Sequence, residues 1–333
     1  MKTDTGRDLQ RDQAGRLRHL LTLEGLSRDE VAQLLDLAQF YVRLPGDLAA
    51  RDGALLGRTV ANLFFEPSTR TRVSFELAAT RLGADVVNLD LHSSSRVKGE
   101  TVLDTIYTLQ AMLVDVFVMR DAEPGLPAYV SRHVAPHVSV LNAGEAHVSH
   151  PTQGLLDVLT IRQCKGDTRA LCVAVVGDAR HSRVVRSTGR ALLTLGVGEL
   201  RLVSPASLMP EADELEGASR HTSLAEGIRG ADVVMALRIQ RERMPDAASL
   251  DPEAFNREWG ITAENLRRAK ADAIVMHPGP MNRGVEITSE VADGPQSVIR
   301  RQVGNGVAVR MAVLATIVRN VQARNIEAGR RAG

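Results

Sequence analysis

The sequence predicts an α/β protein made of two doubly wound parallel-sheet domains, with its functional site in the cleft between them. Three observations carry that prediction. Short β-branched runs alternate with helix-period segments along the chain. At 333 residues the chain is long for one core and sufficient for two. Unusual polar residues collect just beyond the predicted strands, on the edge where open parallel sheets bind ligands.

The elements follow in order. The first sixteen residues are polar and read as a mobile N-terminal arm, ahead of a first domain at 17–150. TVANLFF (59–65) is a buried strand. After it, Phe75, Ala78, Ala79 and Leu82 fall on one face of a helix stopped by Gly83. ADVVNLD (84–90), VDVFVM (114–119) and VSVLNA (138–143) are further strands. TVLDTIYTLQAM (101–112) is a helix aligned by Val102, Ile106 and Leu109, and a weaker helical pattern lies near 125–135. Pro151 opens the next helix, which starts the second domain at 151–304. LCVAVVGD, ELRLVS, ADVVMAL (231–237) and ADAIVM (271–276) are its strands, with a helix over 182–196 ended by Gly196. A last apolar helix at about 307–321 is placed to return to the first domain, within a C-terminal stretch of about 305–333.

Composition removes several functions. A formal net charge of +1 gives no global pull toward nucleic acid or a membrane, so any anion site is local. Cys164 and Cys172 are the only cysteines and lack metal-ligand spacing, which excludes a disulfide framework and fits a reducing, cytoplasmic setting. The charged N-terminus has no apolar leader core, and no apolar run is long enough to span a bilayer. There is no Walker A motif, no complete dinucleotide fingerprint in VVGDAR and no nucleophile elbow, so the sequence announces no cofactor and no metal.

Six polar clusters mark the binding edge: Ser68 to Arg72, Arg120, His150, Asp178 to Arg183, Arg238 with Gln240, and HPGP at 277–280. In FFEPSTRTRVS, Ser68 is placed as the N-cap of a helix whose first N–H groups, at Thr69, Arg70 and Thr71, face outward. Hydroxyls, a guanidinium and a helix N-terminus together suit a phosphate. Lys98, Arg183 and Arg238 suit a molecule with two carboxylates. On local evidence His150, just before the helix-starting proline, suits a plain capping role as readily as a chemical one.

FFEPSTRTRVSFE, KGET, VMR, HPTQGLLD, VVGDARHSR, LRIQRER and HPGP, in this order, resemble the aspartate carbamoyltransferase family. STRTR and HPTQ are shared with ornithine carbamoyltransferases, whereas KGET and LRIQ are similar to the aspartate branch. The resemblance implies that Ser68, Thr69, Arg70 and Thr71 hold the phosphate of carbamoyl phosphate, and that Thr71, Arg120 and His150 aim donors at its carbonyl oxygen. It further implies that Gln153, Gly279 and Pro280 receive the carbamoyl amine, with Lys98, Arg183, Arg238 and Gln240 on L-aspartate. The catalytic set so implied is Arg70, Thr71, Lys98, Arg120 and His150.

The same resemblance implies transfer to L-aspartate in pyrimidine biosynthesis without a cofactor. It implies a homotrimer in which Ser94 and Lys98 reach a neighbouring subunit's active site. A larger complex with a regulatory chain or a dihydroorotase-like chain stays open. Position 279 is glycine where other members carry a bulkier apolar residue, so its backbone is expected to differ slightly. The alternatives are an ornithine-type carbamoyltransferase, for which RIQRER is a poor lining, and a non-catalytic assembly subunit, which should have lost some of these residues.

Overall fold

The computed structural model describes residues 6–44, 46–90, 101–240 and 251–332. The chain divides into two compact units, one of residues 1–152 with 306–333 and the other of residues 153–305.

The first unit is built on β1 (Thr59–Phe64), β2 (Asp85–Asp90), β3 (Val116–Asp121) and β4 (Ser139–Glu145), in the order β2-β1-β3-β4. Every pairing is parallel. Both β3 and β4 are buried at every residue, as strands covered on both faces must be. The helices are α1 (Arg28–Tyr41), α2 (Thr69–Arg81), α3 (Val102–Ala111) and α4 (Leu126–His133). Ile106 of α3 and Val130 of α4 join Leu63, Phe117, Met119 and Val140 in one apolar cluster.

The sequence reading passed over α1, although its signals are plain. Ser27 and Glu30 form a complete capping box, and Val31, Leu34, Leu35 and Ala38 line one buried face. The opening segment also differs from expectation. From Gly6 onward it is held down rather than mobile. Gln10 is buried and accepts from the N–H groups of Leu21 and Thr22 at 2.8 and 3.0 Å. Arg11 pairs with Glu30, and Arg16 with Glu327 at 2.8 Å. Leu9 also packs against the apolar cluster of the first unit, but polar bonds of this kind are not registered by hydrophobic periodicity.

Helix α5 (Pro151–Lys165) and helix α11 (Ile299–Ala332) each contain a boundary between the two units. The last helix is longer than the apolar run 307–321 indicated. Its part in the first unit buries Met311, Leu314 and Val318, and sets the Arg310 guanidinium 4.9 Å from the Phe75 ring centroid.

The second unit carries β5 (Cys172–Val176), β6 (Glu199–Val203), β7 (Ser219–His221), β8 (Val233–Ala236) and β9 (Ile274–Met276), all parallel, in the order β7-β6-β5-β8-β9. Helix α6 (Arg183–Leu195) ends at Gly196, whose φ of 77° is a left-handed stop. Shorter helices follow: α7 (Leu224–Gly227), α8 (Pro252–Trp259), α9 (Ala263–Leu266) and α10 (Ser289–Ala292). The edge strand β7 is three half-buried residues, Ser-Arg-His, with no apolar signature to read. Cys172 is half-buried at the margin of this core, and burial pushes its thiol up to about 11, so it is not a thiolate near neutrality. No helix among the described residues is long and apolar enough to cross a membrane.

One buried base in the first unit gives a testable pH dependence. The His19 ring nitrogen Nδ1 accepts from the Val140 N–H at 2.9 Å. Burial, helped by the charges of Arg18 and Arg324, lowers its pKa from 6.5 to about 3. The unfolded chain therefore takes up a proton that the folded chain refuses. Stability is full above pH 6.5 and falls as the pH drops toward 3, by on the order of 1 kcal/mol per pH unit from this group. Thermal unfolding of wild type and His19→Asn between pH 7 and pH 5 checks this. The wild type should lose more stability than the variant over that range; equal losses would refute the assignment.

Candidate active site

Strand order fixes where each sheet opens. In the first unit the order reverses between β1 and β3, and in the second between β5 and β8. At such switch points the loops leaving two neighbouring strands diverge and leave a crevice. The segment Ser68–Arg72 follows β1, and Arg120, next to last in β3, lies beside it in register with Phe64. Arg183 follows β5, and Arg238 and Gln240 follow β8.

At the first switch point α2 starts with Thr69, Arg70 and Thr71 and has no acid in its first turn. Helices α1, α3 and α8 carry Asp or Glu there, as the partial positive charge of a helix N-terminus favours. Arg70, exposed, adds a cation at the same end, a combination that suits an anion. Ser68 occupies the N-cap position but does not cap. Its hydroxyl lies 3.0 Å from that of the buried Thr71. This corrects the expected capping bond: the Ser68 hydroxyl is engaged by Thr71 rather than by a helix N–H.

Arg120 is buried and fixed from three sides. Its carbonyl accepts from the Phe65 N–H at 2.8 Å, Nη1 donates to the Ala143 carbonyl at 3.1 Å, and Nη2 sits 3.2 Å from the Glu66 carboxylate. Its head thus spans the ends of β1, β3 and β4. His150 is buried immediately before α5. The turn ahead of it is shaped by Glu145, which accepts from the Gly125 N–H and from Asn142 Nδ2 at 2.9 Å.

At the second switch point α6 also lacks an acid in its first turn and begins with the buried Arg183. Ser182 does cap this helix, accepting from the Val185 N–H at 3.3 Å. The organiser is Asp178, which is 0 % exposed. It accepts from the His181 N–H at 3.2 Å and meets the His181 ring at 2.9 Å. It also accepts from the Gln240 N–H at 3.3 Å, while Gln240 Nε2 donates to the His181 carbonyl at 3.0 Å. The loop after β8 is thereby tied to the turn after β5, with Arg183 and Arg238 beside the tie.

Gln153, on α5 within the second unit, donates Nε2 to Asp157 at 2.8 Å. His277 is buried at the end of β9, and its Nδ1 accepts from the Gly279 N–H at 2.8 Å. Gly279 has a φ of 68°, a conformation that favours glycine, and the Gly279–Pro280 bond is cis. Lys98 and Ser94 lie outside the described residues, as do Arg241 and Arg243.

Comparison with known proteins meets this geometry. Residues 18–163 match the carbamoyl-phosphate-binding domain of the aspartate/ornithine carbamoyltransferases, and residues 169–317 match their aspartate/ornithine-binding domain. The chain belongs to the aspartate/ornithine carbamoyltransferase family. Aspartate transcarbamoylase from Trypanosoma cruzi, solved with carbamoyl aspartate and phosphate, is similar at 33% identity over 92% of this chain and 98% of its own, with a TM-score of 0.80. The same enzyme solved with N-(phosphonacetyl)-L-aspartic acid is similar at 34% identity, covering 93% and 98%, with a TM-score of 0.81. Ornithine carbamoyltransferase from Thermus thermophilus is similar at 27% identity over 90% and 99%, with a TM-score of 0.79. The fold is that of a carbamoyltransferase.

Within this carbamoyltransferase, sequence reasoning missed the carboxylates behind the presented groups: Glu66, Glu145, Asp157 and Glu286. Only Glu66, directly after a strand and before a proline, carried a local signal. Two outcomes follow from the geometry. Ser68→Ala should cost well under the ~1 kcal/mol of a lost N-cap, measured by chemical denaturation; a full cap penalty would contradict the hydroxyl pairing. Asp178→Ala should release the Gln240 and His181 amides, raising their hydrogen-exchange rates while the β5 and β6 amides keep their protection. Unchanged exchange at both would show that Asp178 does not hold the loop.

Proposed function

We propose that this carbamoyltransferase moves the carbamoyl group of carbamoyl phosphate to the amino group of L-aspartate, giving N-carbamoyl-L-aspartate and phosphate for pyrimidine biosynthesis. One observation carries the choice of acceptor. The second switch point presents Arg183 and Arg238. Its buried acid, Asp178, is already engaged by His181 and Gln240. Among the described residues there, the cations Arg183 and Arg238 suit a side-chain carboxylate better than the ammonium of ornithine. Solved relatives with aspartate and with carbamoyl phosphate support both substrates.

In this reading Ser68, Thr69, Arg70, Thr71 and the start of α2 take the phosphate. Thr71, Arg120 and His150 stabilise the carbonyl oxygen. Arg183, Arg238, Gln240 and Lys98 take aspartate, while Gln153, Gly279 and Pro280 take the carbamoyl amine. The neutral amine of aspartate attacks the carbonyl carbon, and an oxyanion forms facing preorganised donors. The C–O bond to phosphate then breaks, the bond's electron pair leaves with phosphate, and phosphate accepts the proton shed by the amine. No separate protein base is required. Holding two anions in one orientation supplies much of the acceleration, and the arginines offset their repulsion. A homotrimer in which Lys98 and Ser94 serve the neighbouring active site belongs to the same proposal.

The test is carbamoyl transfer by the purified protein, with L-aspartate or L-ornithine as acceptor. Product from aspartate alone is expected. Product from ornithine alone would reassign the loop after β8, and no product from either would favour a non-catalytic subunit. In the active protein, Arg238→Ala should raise the KM for aspartate about 10- to 100-fold, leaving the KM for carbamoyl phosphate nearly unchanged. Arg70→Ala should instead depress turnover and carbamoyl-phosphate affinity together.

A further inference from the structure

We propose that Asp157 and Glu286 are positioning residues that restrict the carbamoyl-amine subsite to hydrogen-bond acceptors, so that it selects NH2 over its methyl isostere. The inference rests on the function proposed above and concerns groups that do not themselves touch substrate.

Both residues lie in the second unit and both are buried. Three donors converge on the Asp157 carboxylate: Gln153 Nε2 at 2.8 Å and Gln302 Nε2 at 2.7 Å on one oxygen, and the Thr188 hydroxyl at 2.6 Å on the other. A carboxylate so surrounded is held as an acceptor. The Gln153 amide therefore has to turn its NH2 inward, which leaves its carbonyl oxygen as the end to present. Gln302 is fixed at both ends, since its own Oε1 accepts from the His277 N–H at 3.0 Å.

The other half of the subsite is set from the same direction. His277 Nδ1 is occupied as an acceptor by the Gly279 N–H, so its proton sits on Nε2, which donates to Glu286 Oε1 at 3.1 Å. That oxygen also accepts from the Asn282 N–H at 2.6 Å, closing the far side of the loop. Pro278 and Pro280 have no N–H. With the Gly279 N–H used internally, the backbone of 278–280 has only carbonyl oxygens to offer. Gln153 and the loop thus carry the same polarity, imposed through one continuous buried chain: Gln153, Asp157, Gln302, His277, Glu286. An amine with two N–H groups satisfies such acceptors. A methyl group desolvates them and returns nothing.

Acetyl phosphate, with CH3 in place of NH2, is the probe. The KM for carbamoyl phosphate and the competitive Ki for acetyl phosphate are measured on the wild type, Asp157→Leu, Asp157→Asn, Glu286→Leu and Glu286→Gln. The leucine variants should raise the KM about tenfold, with the acetyl phosphate Ki moving less than about threefold. The Asn and Gln variants, which keep an acceptor oxygen, should stay near wild type. A merely structural role moves both constants together, and that result would overturn the inference. If the leucine variants do not fold, Thr188→Val decides. It removes one donor from Asp157 in a side chain of the same shape, and should raise the KM a few-fold with the Ki unmoved; parallel shifts or none would overturn the proposal. A wild type that transfers no carbamoyl group would remove the function and this inference together. An active wild type with an unchanged ratio in every variant would remove the inference alone.

Discussion

An all-parallel sheet points the carboxyl end of every strand, and the N-terminus of every following helix, toward one edge. That constraint makes the edge electropositive before any side chain is chosen. Six of the eleven α-helices among the described residues relieve it with an acid, α1, α3 and α8 among them, whereas α2, α4, α5, α6 and α11 do not. Two of the latter, α2 and α6, start at the switch points. Their first turns carry Arg70 and Arg183 instead, each beside a further arginine, Arg120 or Arg238. The chemistry of this family, with a phosphorylated donor, gives such a concentration of positive charge a use.

The carboxylates run the opposite way. Asp157, Asp178 and Glu145 are buried, and each gathers two or more donors; Glu286 does the same through one oxygen. Burying a carboxylate is costly unless donors surround it, and an apolar core of the same volume is often as stable. What a multiply bonded carboxylate supplies instead is orientation, because it accepts from every direction and donates in none. The cations thus gather at the switch points, Arg70 exposed and Arg120 and Arg183 buried, while the acids fix amides, an imidazole and loop backbones.

Cations and acids differ in how far the sequence revealed them. Strands β1 to β4 and β5, β6, β8 and β9 are apolar runs, and the arginine and hydroxyl clusters follow them directly, so chain order alone brings them to one edge. The acids work across distance. Asp157 and Gln302 are 145 residues apart, and nothing in either neighbourhood announces the other. Edge strand β7 has no apolar residue, and the segment 6–16 shows no apolar period, Leu9 alone packing on the core cluster while Gln10, Arg11 and Arg16 hold the segment by polar bonds, so neither was legible. Helix α1 is a different kind of miss, since its capping box and its Val31–Leu34–Leu35–Ala38 stripe are readable from the sequence. Ser68 shows the limit of local rules, since a residue that fits an N-cap by type spends its hydroxyl on Thr71 instead.

Glu66 shows how one site reconciles a cation with an acid. A buried guanidinium with no counter-charge would be strongly disfavoured in the ligand-free protein, and the Glu66 carboxylate, 3.2 Å away and partly exposed, supplies that charge. The pairing leaves Arg120 with donors directed by geometry rather than by search, because its carbonyl is already locked to Phe65 and its Nη1 to Ala143. A substrate oxygen arriving there meets a cation whose rotameric entropy was lost on folding, so less of the interaction is consumed in ordering it. The same pairing tempers the charge of Arg120. The exposed Arg70, at the start of α2, has no acid in its own helical turn, so the two arginines differ in charge environment as well as in burial.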